Sequence, residues 1–334
     1  MIRIIINIDF LGLFNKNDTD TITYEILFNK NKKGKKMLSK DEIKQYHDDG
    51  YVLAEQVVSP EQLSKLQTMT YELIEGSRKV SESNHIYDLD EGHSEHSPRL
   101  NRIKLPHKLD PYFWDILEQS EITSVLKSLL GNNIQLQTSK LNTKAPDGGS
   151  SVEWHQDVAF YPLTNDSVLA VGLMLEDVTH ENGPLQVIPK SHKGPTLDHS
   201  NDQGLFCGAI DPDDPDFDKG KIVTITGKAG DMSIHHGRIL HGSAPNRSDR
   251  ARLMLFYECN AADAWPLLGG AAVTIQKLGS GELWEDLHVR TIAGQPTKEP
   301  RIENWPVRMP VPPLKVGGSI FKTQKSGGAR SFYD

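Results

Sequence analysis

Val152-Glu153-Trp154-His155-Gln156-Asp157 is the stretch on which the reading of this chain turns. It sits in a region, 134 to about 258, where short β-rich runs alternate with Gly, Pro, Asn and Asp. The runs are 134–138, 168–175, 185–188, 221–225, 231–234 and 253–257. Strands of this length and spacing predict a sandwich or barrel rather than alternating βαβ units. In a strand, residues i and i+2 face the same way, so His155 and Asp157 present an imidazole and a carboxylate to one point. A third ligand from elsewhere completes a 2-His-1-carboxylate set. Such a set leaves three adjacent positions open on an octahedral ion, as ferrous oxygen chemistry requires.

The third ligand has three nearby claimants in His235, His236 and His241. Position along the chain does not choose among them, and those not used shape the pocket or lie on the surface. His241 is favoured by a cation downstream, Arg252, at the head of the apolar run 253–257. A hairpin joining 231–234 to 253–257 would return Arg252 to His241's side of the core. A guanidinium there holds a carboxylate through two parallel hydrogen bonds, and Ser243 adds a hydroxyl. A small dicarboxylate that chelates the metal at one end needs such an anchor at the other. Arg247 and Arg250 read as surface ion pairs.

Upstream of this region the pattern is helical. Ser39-Lys40-Asp41-Glu42 has the capping-box form, and Ile43 and Tyr46 suit the buried side of a short helix that Gly50 stops. Residues 51–54 read as a strand. Ser59-Pro60-Glu61-Gln62 starts a second helix with apolar Leu63, Leu66, Met69, Leu73 and Ile74 at helical spacing. Residues 81–100 read as a polar loop near a pocket mouth, from which at most one of His85, His93 and His96 reaches a substrate. Residues 113–130 read as one helix. Helices first and an antiparallel core after them predict an α+β domain built on a double-sheet roll. The Pro- and Gly-bearing tail from 296 is expected to wrap the surface or border the site. Residues 1–36, rich in Ile, Asn and Lys, read as a disordered or non-native extension ahead of Met37, leaving 37–334 as a single domain.

Composition narrows the function. With 37 basic against 45 acidic residues the formal charge is −8, which argues against non-specific nucleic-acid binding and against an anionic membrane surface. Two cysteines, Cys207 and Cys259, cannot build a disulfide framework or a four-cysteine zinc site; they allow one disulfide and fit two reduced, partly buried thiols better. There is no apolar run long enough for a membrane-spanning helix, and the terminus lacks the cleavage site of a signal peptide. The expected setting is the cytoplasm and the expected partner a small molecule. Oligomeric state is not readable.

The motifs together resemble a known family. Trp154-His155-Gln156-Asp157, Asn182-Gly183-Pro184-Leu185, Ile188-Pro189-Lys190-Ser191-His192, and His241-Gly242-Ser243 with Arg252 are similar to the phytanoyl-CoA dioxygenase family of iron(II)- and 2-oxoglutarate-dependent oxygenases. The resemblance runs from about 38 to 257, and more loosely through 319–325. It implies a double-stranded β-helix, a jelly-roll or cupin-like core, with flanking N-terminal helices. It implies Fe(II) on His155, Asp157 and His241, 2-oxoglutarate on Arg252 and Ser243, and O2 as the third reactant. Asn142, Lys140 and Arg102 look like further cosubstrate contacts; on their own these three read as a solvated strand edge and an exposed loop. Related halogenases lack the carboxylate, so Asp157 implies hydroxylation or a related oxidation. Trp154, Gln156 and Phe160 flank the ligands as candidate substrate contacts, with core packing the other reading for Phe160 and Tyr161. Glu153 reads as structural. The chain departs from the family's pattern at Gly172-Leu173, where an aromatic often stands, and at Lys190, where the usual residue is glycine.

The implied activity is hydroxylation of a C–H bond of a small organic metabolite, with release of succinate and CO2. Two other readings stay open: a non-catalytic jelly-roll protein that binds metal or ligand as a sensor, and a zinc hydrolase using the same ligands. The carboxylate anchor and the absence of a His-Glu-x-x-His helix weigh against the hydrolase.

Overall fold

Both predicted capping boxes form. In the computed structural model, which describes residues 37–267, 291–315 and 319–333, Ser39 Oγ accepts from the Glu42 amide while Glu42 accepts from the Ser39 amide at 2.7 Å. That opens α1 (Lys40–Asp49), and Gly50 ends it in the left-handed region at φ 85°. Ser59 and Gln62 repeat the exchange at the start of α2 (Pro60–Gly76), with β1 (Tyr51–Ala54) between the two helices. The chain divides into units 1–36 and 37–334; the reading of 1–36 as an extension lies outside the described residues.

Two expectations change here. Residues 81–100 are not all loop: β2 (Tyr87–Leu89) pairs with β3 (Leu100–Lys104) and extends a sheet edge. The stretch 113–130 is two helices, α4 (Tyr112–Gln119) and α5 (Ile122–Leu130), preceded by the short α3 (Pro106–Leu109). The break falls at Ser120, whose hydroxyl donates to the Ile116 carbonyl at 2.5 Å and accepts from the Ile122 amide at 3.2 Å. A side chain that satisfies backbone groups locally removes the need for a continuous helix, and apolar periodicity alone does not register that.

The β region forms two antiparallel sheets. The larger runs β1-β9-β6-β11-β4-β3-β2, from β4 (Ile134–Lys144), β6 (Val168–Met174), β9 (Met232–His236) and β11 (Arg252–Ala261); β12 (Thr291–Ala293) also pairs with β4. The smaller runs β5-β10-β7-β8, from β5 (Val152–His155), β10 (His241–Ser243), β7 (Leu185–Val187) and β8 (Val223–Ile225). Helices followed by two facing antiparallel sheets are the α+β jelly-roll architecture the sequence predicted.

Strand alternation divides the large sheet into a helix side and an inner side. Leu253, Leu255, Tyr257 and Cys259 of β11 join Leu66, Phe113 and Ile116 of the helices in the main core. Tyr257 is tied to α4 by a hydrogen bond from its hydroxyl to the Phe113 carbonyl at 2.5 Å. The even-numbered residues point the other way. Met254 and Phe256 pack against Leu185, Val187 and Ile225 of the small sheet, and Arg252 faces the same interior. The functional side chains gather in this space between the sheets.

Candidate active site

β5 ends at His155, but Gln156 keeps extended dihedrals (φ −120°, ψ 128°) before a tight turn begins at Asp157. The two-residue alternation therefore persists one residue past the strand, and His155 and Asp157 face one cavity. β10 pairs His241 directly opposite His155. The ring centroids of these two histidines lie 4.1 Å apart. One ligand atom from each of His155, Asp157 and His241 lies within 4.8 Å of the others.

The orientation of these groups suits a divalent ion. His155 Nδ1 meets the Glu153 carbonyl at 2.8 Å and His241 Nδ1 meets the Ile239 carbonyl at 3.0 Å. Both rings thereby turn Nε2 toward Asp157 Oδ1, at 3.6 and 3.7 Å. Ligand atoms each about 2.1 Å from one ion stand roughly 3–4 Å apart, so the spacing fits a shared metal better than direct hydrogen bonds. Burial and the neighbouring His155 hold His241 well below the usual imidazole pKa, hence neutral and able to bind metal. Burial alone would raise Asp157; His241, His155, His235 and the Lys140 ammonium outweigh it and keep the carboxyl well below its usual range.

At the far end of the cavity stands Arg252, only 3% exposed. Among the described residues no carboxylate pairs with it, and its Nε has no hydrogen-bond partner. Burial pulls this guanidinium down to about 10. An uncompensated buried cation is costly unless a ligand supplies the anion. Ser243, Asn142, Lys140 and Arg102 line the same cavity. Arg102 donates through Nε to Asn142 Oδ1 at 3.2 Å, with Phe321 against its guanidinium at 5.4 Å. Lys140 is ion-paired with Glu258. Both β4 residues are therefore inward-facing, and neither is a solvated strand edge.

How Arg252 reaches this position differs from the expectation. The expected hairpin between 231–234 and 253–257 does not form, because β6 lies between β9 and β11 in the large sheet. The chain instead passes from His241 on β10 of the small sheet to Arg252 on β11 of the large one. The segment between them crosses from sheet to sheet. It is held by Asn246, whose amide donates to the carbonyls of Lys144 (3.1 Å) and Arg250 (2.7 Å). Buried Lys144 reinforces the crossing by donating to the carbonyls of Ser243 and Ala244. Nothing in the hydrophobic pattern marked Lys144 as a buried residue.

The three flanking residues expected at a substrate separate. Trp154 and Gln156 are corrected: both lie on the opposite face from the ligands. Trp154 packs with Ile188, Leu197, Ile210, Phe217 and Leu240. Gln156 is fully engaged, donating to the Pro195 (3.1 Å) and Arg238 (2.7 Å) carbonyls and accepting from the Leu197 amide (2.8 Å). The alternation that directs His155 and Asp157 inward sends their neighbours outward. Phe160 stays at the site, edge-on to the His155 ring at 5.8 Å. It lines an adjoining, more open cavity with His85, Arg102, Lys104, Lys140, Asp157 and Tyr161. Of the three loop histidines only His85 lies at this cavity; His93 accepts from the Arg99 amide at 3.0 Å.

Two contributors were only loosely placed by the sequence. α6 (Ile320–Ser326) places Ile320 on both cavities and Gln324 beneath β5. Gln324 accepts from the Glu153 amide at 3.0 Å and donates to the carbonyls of Glu153 (3.3 Å) and Gly208 (2.8 Å). Glu153's carboxylate accepts from Ser331 Oγ (2.9 Å) and the Phe332 amide (2.8 Å), so it is structural and anchors the C-terminal segment. The other contributor is His235, which lines the triad cavity, whereas His236 packs outward against Tyr46 and His192. At the two departures, Lys190 takes the left-handed conformation (φ 71°) that glycine usually supplies. A Cβ on Gly172 would come within 2.7 Å of the Phe256 ring, which occupies the space above it.

The model of the phytanoyl-CoA dioxygenase family matches residues 46–254. The chain belongs to the phytanoyl-CoA dioxygenase family. Over 286 residues, 85% of this chain and 96% of the relative, it is 35% identical to a probable alpha-ketoglutarate-dependent hypophosphite dioxygenase of Stutzerimonas stutzeri. It is 25% identical to the ectoine dioxygenase of Bordetella bronchiseptica over 241 residues, 68% of this chain and 76% of that one. The iron-bound crystal structure of EctD from S. alaskensis superimposes with a TM-score of 0.58 at 22% identity, covering 80% of this chain and 88% of that one. The chain is thus an iron(II)- and 2-oxoglutarate-dependent dioxygenase of jelly-roll fold, with O2 as the other cosubstrate. Among the described residues no helix is long and apolar enough to cross a membrane.

Proposed function

We propose that His155, Asp157 and His241 hold the iron, that Arg252 and Ser243 grip the far carboxylate of 2-oxoglutarate, and that the substrate is a small oxyanion. The observation that carries this reading is the buried Arg252 guanidinium without a carboxylate partner, on the same cavity as the three ligand atoms. A zinc hydrolase has no use for that cation, and a sensor would not need a second cavity opening onto Asp157.

Iron(II) with 2-oxoglutarate supplies the activation of O2, one oxygen atom entering succinate and the other the substrate. The protein's own residues orient and enclose. Asn142, Lys140 and Arg102 bear on the cosubstrate from the β3–β4 wall. Arg102 and Lys140 line both cavities, so they stand where cosubstrate and substrate meet. Glu258, which also lines that cavity, neutralises Lys140, so Arg102 and Lys104 are the cations that favour an anion on the substrate side. The Stutzerimonas relative, named for hypophosphite, fits that preference. The bond oxidised is then a P–H or an activated C–H bond of a small anion. Phe160 and Tyr161 form the less polar part of that wall. Residues 37–334 act as one oxygenase domain in this reading. Cytoplasmic residence is consistent with Cys207 and Cys259 being buried and free.

The test is succinate release with Fe(II), 2-oxoglutarate and air, comparing hypophosphite, phosphite and methylphosphonate with ectoine and a branched acyl-CoA. Stimulation by one or more of the small anions is expected, and its loss in His155→Ala and Asp157→Ala. Stimulation by the acyl-CoA or ectoine alone rules out the anion assignment. Normal turnover in either variant rules out the metal assignment.

A further inference from the structure

His235 lies beside the triad yet belongs to neither the ligand set nor the cosubstrate anchor. It is an inward residue of β9, opposite Ala170 of β6, and 2% exposed. Neither ring nitrogen has a hydrogen-bond partner among the described residues. Other buried imidazoles engage at least one nitrogen: His199 meets the Leu197 carbonyl and accepts from the Gln156 amide, and His192, whose Nδ1 has no partner, meets the His47 carbonyl through Nε2 at 3.3 Å. An orphaned buried donor in a cavity wall points to a neighbouring acceptor that a small adjustment brings into hydrogen-bond geometry.

The geometry of Asp157 identifies that partner. Its two oxygens face different neighbours: Oδ1 faces His155 Nε2 and His241 Nε2, while Oδ2 lies 3.3 Å from His235 Nε2. The His235 and His241 rings are 4.4 Å apart by centroid, so His235 flanks the ligand set and Oδ1 is the oxygen central to it.

We propose that His235 is a positioning residue that donates from Nε2 to Asp157 Oδ2 and holds the carboxylate as a one-oxygen ligand through Oδ1. A carboxylate free to rotate would bring both oxygens onto the ion and occupy a position that cosubstrate or oxygen needs. This rests on the triad being the metal centre.

Cobalt(II) tests it without turnover. Anaerobic titration with 2-oxoglutarate present gives an affinity, and the visible cobalt spectrum reports coordination. His235→Phe keeps a ring and removes the donor; His235→Gln restores an amide donor at the same reach. We expect His235→Phe to bind cobalt about 10–100-fold more weakly with an altered spectrum. His235→Gln is expected to stay within about threefold of wild type with the wild-type spectrum. Far-UV circular dichroism verifies that the variants are folded. Wild-type affinity and spectrum in His235→Phe, or no recovery in His235→Gln, overturns the assignment. Loss of binding in His235→Phe as complete as in His155→Ala also overturns it, since His235 would then be a ligand. Cobalt binding by His155→Ala at wild-type strength defeats the metal-centre reading itself.

Discussion

Replacing Arg252 by methionine is expected to make the empty protein more stable and the loaded protein less so. Arg252 is 3% exposed, and its guanidinium falls from 12.5 to about 10 because burial is not offset by an acid. At 1.36 kcal/mol per pKa unit, that shift corresponds to about 3 kcal/mol against the folded, charged state. Methionine fills much of the same length with no charge, but loses some packing and leaves part of the volume empty, so a net gain of about 1–2 kcal/mol is reasonable. For a chain of this size that is a rise in Tm of roughly 2–6 °C. Ligand reverses the order. Two charge-assisted hydrogen bonds to a carboxylate contribute about 1.5–3 kcal/mol each, so the variant should bind 2-oxoglutarate about 10²–10⁴-fold more weakly. At a concentration about 100 times the wild-type dissociation constant, wild type gains about 2.7 kcal/mol and the variant almost nothing. The assay is thermal unfolding under nitrogen with manganese(II), with and without 2-oxoglutarate. An undiminished ligand-induced shift in Arg252→Met would refute the anchoring role. A variant less stable than wild type by more than 1 kcal/mol in the empty state would refute the reasoning about uncompensated burial.

Three further outcomes follow from the same geometry. Gln324→Ala removes hydrogen bonds to the Glu153 amide and carbonyl and to the Gly208 carbonyl; it should cost about 1–3 kcal/mol in urea unfolding and weaken metal binding, because the Glu153 carbonyl also orients His155. Unchanged metal affinity would limit Gln324 to fastening α6. Gly172→Ala forces its methyl to within 2.7 Å of the Phe256 ring and should destabilise by about 1–3 kcal/mol while shifting substrate preference more than metal affinity; a neutral effect on unfolding would show that Phe256 moves freely. Burial depresses His199 and His236 to about 3, so each stays neutral when folded but takes up a proton near pH 6.5 when unfolded. The unfolded state then binds more protons as pH falls through 6.5, and stability should drop by about 2–3 kcal/mol between pH 7.5 and 5.5. Equal urea midpoints at the two values would contradict that.

Much of the fold was legible because its signals are local. Two capping boxes, Gly50 as a stop, and short strands punctuated by turn residues are consequences of backbone geometry within a few residues. The pairing of His155 with Asp157 is of the same kind, since the two-residue period acts on adjacent peptide units whatever the rest of the chain does. That period, applied one residue further, also rules Trp154 and Gln156 out of the cavity. The helix break at Ser120 escaped notice because one hydroxyl interrupted an otherwise continuous apolar stripe.

Residue types and their local directions thus came from the chain itself: which imidazole and carboxylate share a face, and that a guanidinium and a hydroxyl stand ready for an anion. Which elements meet was decided only in three dimensions. His241 lies opposite His155 through a ladder between strands more than eighty residues apart, and Arg252 arrives from the other sheet rather than by a hairpin. His235 was separated from His236 by strand register, which aims one inward and the other toward Tyr46. Gln324 reaches β5 across 171 residues of chain. Local geometry is set by covalent neighbours and repeats along the chain. Assembly of the metal centre depends on which surfaces bury each other, and that is a property of the whole packed core.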